Sequence, residues 1–449
     1  MAEPGTDEGR EDAPPEEVRG ALARSLGLPA ALSIGRGTMV GAGIVVFPGL
    51  AAGRAGPAAS LSFAIGGGIA LLVALVVSEL ATAMPRSGGP YHFVARGLGA
   101  AHAALVGIAQ WLGLVFASPF YVVGAGHYLG ALAAAAGFGT ALPTGVVGSV
   151  AAAALTALAV SGTRRAGALQ KLMVAVLLAL LLAFLGWGRL HAAGGSDAAR
   201  ADRAFAPHGL MPVLTTAALV FTSFLGFAQV AAVAGEVRRP DRNLPRAMVG
   251  SVLIVTALYV ATMAVATALV PAGRLEAAGE TALAEVGRHL AGETGAVLFF
   301  AGGALATISS ANASILAASR ALYALGGDRV VPAAVTRIGD GRGTPHVALL
   351  ASGGPVALLA LLGGVELLAQ VASLLHLVLY ALLCAALLAL RRRADREYAP
   401  GFRAPGHPMV ALAGGLTSLG LLAFMDLVPL LVGAGVLVVA ALWQRGRPR

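Results

Sequence analysis

Apolar residues recur along this chain in long runs separated by short segments rich in Arg, Gly and Pro. A helix needs about 20 apolar residues to cross the hydrocarbon core of a bilayer. By that measure the pattern predicts twelve spans, at about 31–53, 58–84, 102–130, 141–161, 169–189, 211–236, 247–270, 294–322, 346–363, 366–390, 408–425 and 427–443. Gly363-Gly364 alone divides spans nine and ten, and spans eleven and twelve meet at Asp426. The expected fold class is an all-α polytopic membrane protein with twelve transmembrane helices. Of the two longest loops on the outer side, 190–210 reads as irregular, and 271–293 has room for a short amphipathic helix around 280–290.

Composition narrows the classes further. The chain has 449 residues, 57% apolar and 12% charged, against about 25% charged for an average soluble domain. That excludes a disordered protein, a disulfide scaffold and an ordinary soluble enzyme. The net charge of +9 is read as membrane-topology charge, not as a nucleic-acid surface. With the N-terminus inside, 24 of the 31 basic residues fall in cytoplasmic segments, Arg36 makes 25, and six lie outside, as the positive-inside rule requires. Residues 1–20 hold seven acids and two Arg, so the chain opens on an acidic tail unlike the basic start of a signal peptide. The lone cysteine, Cys384, allows no internal disulfide and no cysteine-based metal site. No metal and no cofactor is expected.

Two spans depart from plain Leu/Ala/Val helices. The first, SIGRGTMVGAGIVVFPG, carries Gly41 and Gly43 near its middle and Pro48-Gly49 beyond. The sixth places Gly226 among aromatics in FTSFLGFAQV. Such glycines also serve close helix packing. Spans one and six are five apart and so begin on opposite faces. Residues 29–190 and 211–390 are then two five-span units related by inversion, with broken helices one and six. A tail over 1–28, expected to be disordered and cytoplasmic, precedes them, an outer loop at 191–210 divides them, and 391–449 adds a basic loop and two further helices. Matched interrupted helices in inverted halves point to a secondary transporter with a midplane site. The N–H groups of Ala42, Gly43 and Ile44 would face a carboxylate, and carbonyls near Val40 and Phe224 an ammonium.

At these residues the sequence resembles the amino acid–polyamine–organocation superfamily of permeases. GAGIVVFPG at 41–49 is similar to that family's G-x-G-I-F segment. SELATAMPRSGGPYHFVARGLG at 78–99 is similar to its second span and the loop after it. The sixth span with its basic loop, SSANASILAASRALYALGGDRVVP, and RRRADREYAPGFRAPGHP extend the likeness along nearly the whole chain. The resemblance implies the five-plus-five inverted-repeat (LeuT-like) fold. It implies that Gly41, Ala42, Gly43 and Ile44 hold the substrate carboxylate, with Val40 beside them in the site. Phe221, Phe224, Gly226 and Phe227 would line the site, with Phe224 as a lid. For Phe221, ordinary helix packing is an equal alternative. Two departures stand out. Ala228-Gln229 replaces the acid many members carry after the Gly-Phe of span six. Leu177 stands where several proton-coupled members have lysine, and Lys171 lies two turns earlier.

Polar groups inside the spans supply the coupling candidates. Ser373, His376 and Tyr380 share one face of span ten, and an intramembrane histidine is a functional candidate or a neutral residue bonded to a neighbouring helix. In span eight, Thr307, Ser310 and Ser314 share a face suited to sodium, or bond to their own helix. Ser118, Tyr121 and Tyr128 form a polar stripe in span three. Glu79 and Glu236 near the cytoplasmic ends are expected to pair with loop arginines. No acid lies mid-span in spans one, three, six, eight or ten, which favours a neutral amino acid. The sequence thus predicts a non-enzymatic carrier of small amino acids in the cell's inner, cytoplasmic membrane, proton-coupled, with both termini cytoplasmic. Its partners are the substrate, a proton or sodium ion and the lipid bilayer, with the oligomeric state open. An exchanger, a sodium-coupled carrier of another small amine and a non-transporting sensor are the alternatives. No catalytic constellation and no selectivity filter is visible.

Overall fold

The computed structural model describes residues 26–85, 89–138, 143–161, 163–193, 204–339, 344–362, 364–393 and 398–445. The acidic tail up to residue 25, Gly88, residues 194–203 of the loop 191–210 and the side chain of Lys171 lie outside the described residues. Sixteen α-helices and several short 3-10 turns make up the described chain, and its one ladder contact is a parallel bridge between Leu26 and Val237. Through it Leu26 N–H donates to the Glu236 carbonyl, and Arg238 N–H to that of Leu26.

The first half holds α1 (Leu28–Met39), α2 (Ala42–Ala55), α3 (Ala59–Ala83), α4 (Pro90–Leu98), α5 (Ala100–Ala135), α6 (Thr144–Ser161) and α7 (Thr163–Ala193). After the loop come α8 (Met211–Val220), α9 (Phe227–Ala232), α10 (Pro240–Leu269), α11 (Ala272–Ala277) and α12 (Ala282–Gly327). The last four are α13 (His346–Ala360), α14 (Val365–Arg393), α15 (Met409–Leu422) and α16 (Leu427–Arg445). The amphipathic outer segment is the first part of α12, set off by non-helical backbone at Ala291 and Gly292. Nine apolar stretches among the described residues are long enough to cross a membrane, and α13 and α15 are shorter apolar helices. One stretch, Leu28–Ala83, contains both of the first two predicted spans. Large apolar side chains face outward on α13, α15 and α16, for example Leu358, Leu416 and Val439, as a lipid solvent demands.

Helix α5 runs through the middle, packed on α12 and α14, while α10 packs on α3 and α1. Two polar clusters tie α14 at its ends. At its end, Arg391 grips Glu79 of α3 through two hydrogen bonds of 2.7 and 2.5 Å. The Tyr398 hydroxyl (3.0 Å) and the Ala404 N–H (2.8 Å) donate to the same carboxylate. This is the loop-arginine pairing expected for Glu79. Burial, and then the Glu79 carboxylate, push the Tyr398 hydroxyl well above its ordinary range, so it stays a donor. His407 is lowered, first by burial and then by Arg391. At the start of α14, Glu366 pairs with Arg54 of α2 (2.5 Å), and Gln370 binds Asp426 (2.5 Å), which also lies 3.5 Å from Arg54.

Candidate functional site

The first predicted span is two helices. Helix α1 stops at Met39 because Val40 turns extended (φ −73°, ψ 91°), and α2 restarts after Gly41. Glycine is required at 41 by proximity, since a Cβ there would lie 1.8 Å from Ser310 Oγ. Gly43 is equally confined, with Ser223 Oγ 2.4 Å from where its Cβ would be. The Pro48-Gly49 pair breaks nothing, because α2 runs through Pro48 to Ala55. The sixth predicted span is interrupted as well: α8 tightens into a 3-10 turn at Phe221–Phe224, and α9 restarts after Gly226.

The two interruptions meet. Ser223 of the second lies beside Gly43 of the first, and Tyr259 of α10 sits between them. The Tyr259 hydroxyl is 2.5 Å from the Met39 carbonyl, to which it donates, and 3.4 Å from the Ser223 carbonyl. Two more tyrosines bind backbone at or beside the breaks: Tyr128 donates to the Val45 carbonyl in the first turn of α2 (2.7 Å), and Tyr380 reaches that of Leu225 (3.5 Å). Unwound backbone at this depth survives only where protein or water satisfies it, and side-chain hydroxyls do much of that here. The Thr222 and Ser223 hydroxyls are buried without a well-formed hydrogen bond, with the hydroxyls of Tyr121 and Tyr259 as their polar neighbours. An unmade bond of this kind costs about 1–3 kcal/mol, which a ligand with polar groups would offset.

All the predicted site residues are buried. Val40, Gly41, Ala42, Gly43 and Ile44 lie at the first break, and Phe221, Phe224, Gly226 and Phe227 at the second. Ala42 N–H donates to Ser310 Oγ (3.0 Å) and Ile44 N–H to the Gly41 carbonyl (3.2 Å). Ser310 therefore acts as the cap of α2. The Phe224 ring stands edge-on to Tyr259, 5.3 Å between centroids, and its rim lies at Gly66 of α3. Phe221 and Phe227 flank Tyr380 on the other side, at 6.0 and 5.2 Å. Thr307 donates to the Gly303 and Ala304 carbonyls of its own helix. His376 lies against Gly113 of α5, and its Nδ1 is 2.9 Å from the Ala372 carbonyl. A carbonyl only accepts, so Nδ1 carries the proton and Nε2 is the basic nitrogen. Its ring is 6.0 Å from that of Tyr380.

Sequence reasoning missed Tyr259, Thr222 and Ser223. A tyrosine within a seventh span looks like any interfacial aromatic, and only the tertiary contact reveals its work. Among the described residues, Glu79 is the one Asp, Glu, Lys or Arg that is fully buried, and it belongs to the far cluster on α3. The breaks therefore meet in a neutral, hydroxyl-rich setting.

Paired helix interruptions enclosed by an apolar bundle are the arrangement expected of a membrane carrier. The model of the amino acid permease family matches residues 26–442, and the chain belongs to that family. It is similar to the branched-chain amino acid permease of Bacillus subtilis, 27% identical over 87% of this chain and 85% of that one. The serine/threonine exchanger of the same organism is 27% identical over 89% and 91%. Its methylthioribose transporter is 27% identical over 87% and 86%.

Proposed function

We propose that this permease carries a small neutral amino acid across the cytoplasmic membrane by alternating access, driven by protons. In this reading twelve spans form a five-plus-five inverted repeat with two added helices, and both termini are cytoplasmic. The observation that carries the proposal is the meeting of both breaks at Gly43, Ser223 and Tyr259. The substrate carboxylate takes the Gly43 N–H and neighbouring hydroxyls, and its ammonium takes carbonyls such as that of Val40. The absence of a buried acid beside the breaks, among the described residues, supports a neutral side chain. So do the substrates named for the branched-chain permease and the serine/threonine exchanger.

His376 is the proton site in this reading. Its basic Nε2 lies one helical turn from Tyr380, whose ring touches Phe221 and Phe227 of the second break. A charge gained there is felt by the segment that has to move. The test is uptake of a labelled amino acid mixture into sodium-free proteoliposomes, with and without an inward proton gradient. Accumulation only with the gradient, lost in His376→Gln, is the expected result. Gradient-driven uptake that survives His376→Gln ends the role of the histidine. Uptake only into preloaded vesicles makes the protein an exchanger, and a strict sodium requirement overturns proton coupling.

A further inference from the structure

A second feature lies at the end of the bundle where Leu26 enters. A cavity of about 610 Å³ opens there, lined by Pro85, Arg239, Pro240, Asp241 and Arg242. Arg239, Arg242 and Arg246, one further turn along α10, are exposed. Arg239 and Arg242 make no ion pair and no side-chain hydrogen bond among the described residues. The only acid lining the cavity, Asp241, has its carboxylate against the Gly401 backbone. What remains is a net positive surface, two guanidinium groups against one carboxylate, at the start of a 30-residue helix, whose dipole adds to the positive field.

The chain carries the complement. Residues 1–20 contain Glu3, Asp7, Glu8, Glu11, Asp12, Glu16 and Glu17 against Arg10 and Arg19. The described chain begins at Leu26, which is hydrogen-bonded to Glu236 and Arg238, immediately before Arg239. We propose that the Arg239–Arg242 surface is the docking site for the chain's own acidic N-terminal segment. Glu17 stands nine positions before Leu26, a tether that reaches about 30 Å at most, so the carboxylates stay within range of the cavity. Tethering of this kind gives an effective concentration of about millimolar, which lets individually weak ion pairs act together. The docked segment clamps the entrance of α1 to the start of α10.

Trypsin reports on docking without reference to transport, because the segment carries its own cleavage sites at Arg10 and Arg19. The full chain is reconstituted in phosphatidylcholine vesicles, and cleavage at those two sites is followed by mass spectrometry. Arg239→Glu with Arg242→Glu is expected to speed cleavage about tenfold, the factor equivalent to about 1.4 kcal/mol. Neutralising Glu11, Asp12, Glu16 and Glu17 as their amides leaves the helices untouched and is expected to do the same. Salt at about 1 M, where screening acts beyond about 3 Å, brings wild type to the variants' rate. Equal cleavage of wild type and both variants at low salt overturns the proposal. Protection that appears only when phosphatidylglycerol is present also overturns it, and assigns the surface to anionic lipid.

Discussion

Replacing Glu79 with Gln removes one charge from a buried cluster of four hydrogen bonds. The side chain is fully buried, and it accepts four hydrogen bonds, two from Arg391 and one each from Tyr398 and Ala404. Breaking a buried pair by removing one partner costs about 3–5 kcal/mol. The lower figure applies here, because the Arg391 side chain is 21% exposed and can turn towards water. Each carboxylate oxygen accepts two of the four bonds, so the new amide NH2, a donor facing donors, takes two of them away. Unfolding entropy of about 2.1 cal/mol/K per residue gives about 0.9 kcal/mol/K for this chain. A loss of about 3 kcal/mol then lowers the midpoint by about 3 °C. The assay is thermal unfolding of the detergent-solubilised protein, with Glu366→Gln as the comparison. That carboxylate is 41% exposed, and its removal is expected to cost under about 1 kcal/mol. A second arm replaces both partners, Glu79→Leu with Arg391→Met, and is expected to recover most of the loss. If Glu79→Gln melts with wild type, or if the double variant is worse than either single one, the reasoning fails.

Three further outcomes follow from the geometry. Gly41→Ala puts a methyl group 1.8 Å from Ser310 Oγ; substrate binding, read by calorimetry, should be lost, and pairing it with Ser310→Ala should restore part of it. Tyr259→Phe deletes a hydrogen bond worth about 1 kcal/mol, so binding should weaken about fivefold, with the melting temperature falling only slightly; an unchanged affinity refutes its positioning role. His407 holds its proton less tightly folded than unfolded. The unfolded chain therefore binds more protons as pH falls through about 6.5. Stability from this group is present above that value and is lost below it, and His407→Gln should flatten the melting profile between pH 7.5 and 5.

How much of this was legible in the sequence depends on the range of the interaction. The break at Val40–Gly41 was legible because two glycines at 41 and 43 leave the helix without local reasons to continue. The interruption at Phe221–Gly226 was legible for the same reason, though its 3-10 form was not. Pro48, one turn and more beyond, adds no second break, because α2 runs through it. Glu79 was expected to meet an arginine near its end of the bundle, but which one is set by the docking of α14 on α3. Tyr259 was invisible, since its meaning lies in the Met39 carbonyl 220 residues away. The hydroxyls of span eight show the same limit: Thr307 satisfies itself within its own turn, whereas Ser310 reaches across to cap α2.

Helix α14 is fastened at both ends, and the fastenings are of different kinds. At Arg391 the acid is wholly enclosed, while at Glu366 both partners remain in partial contact with solvent, 27% and 41% exposed. In a carrier working by alternating access, a helix held firmly at one end and lightly at the other would pivot about the firm end. His376 and Tyr380 lie along that arm, so a swing at Glu366 would give a smaller displacement against Phe221 and Phe227. Arg54, rooted in α2 and paired with Glu366, would carry the swing to the first broken helix.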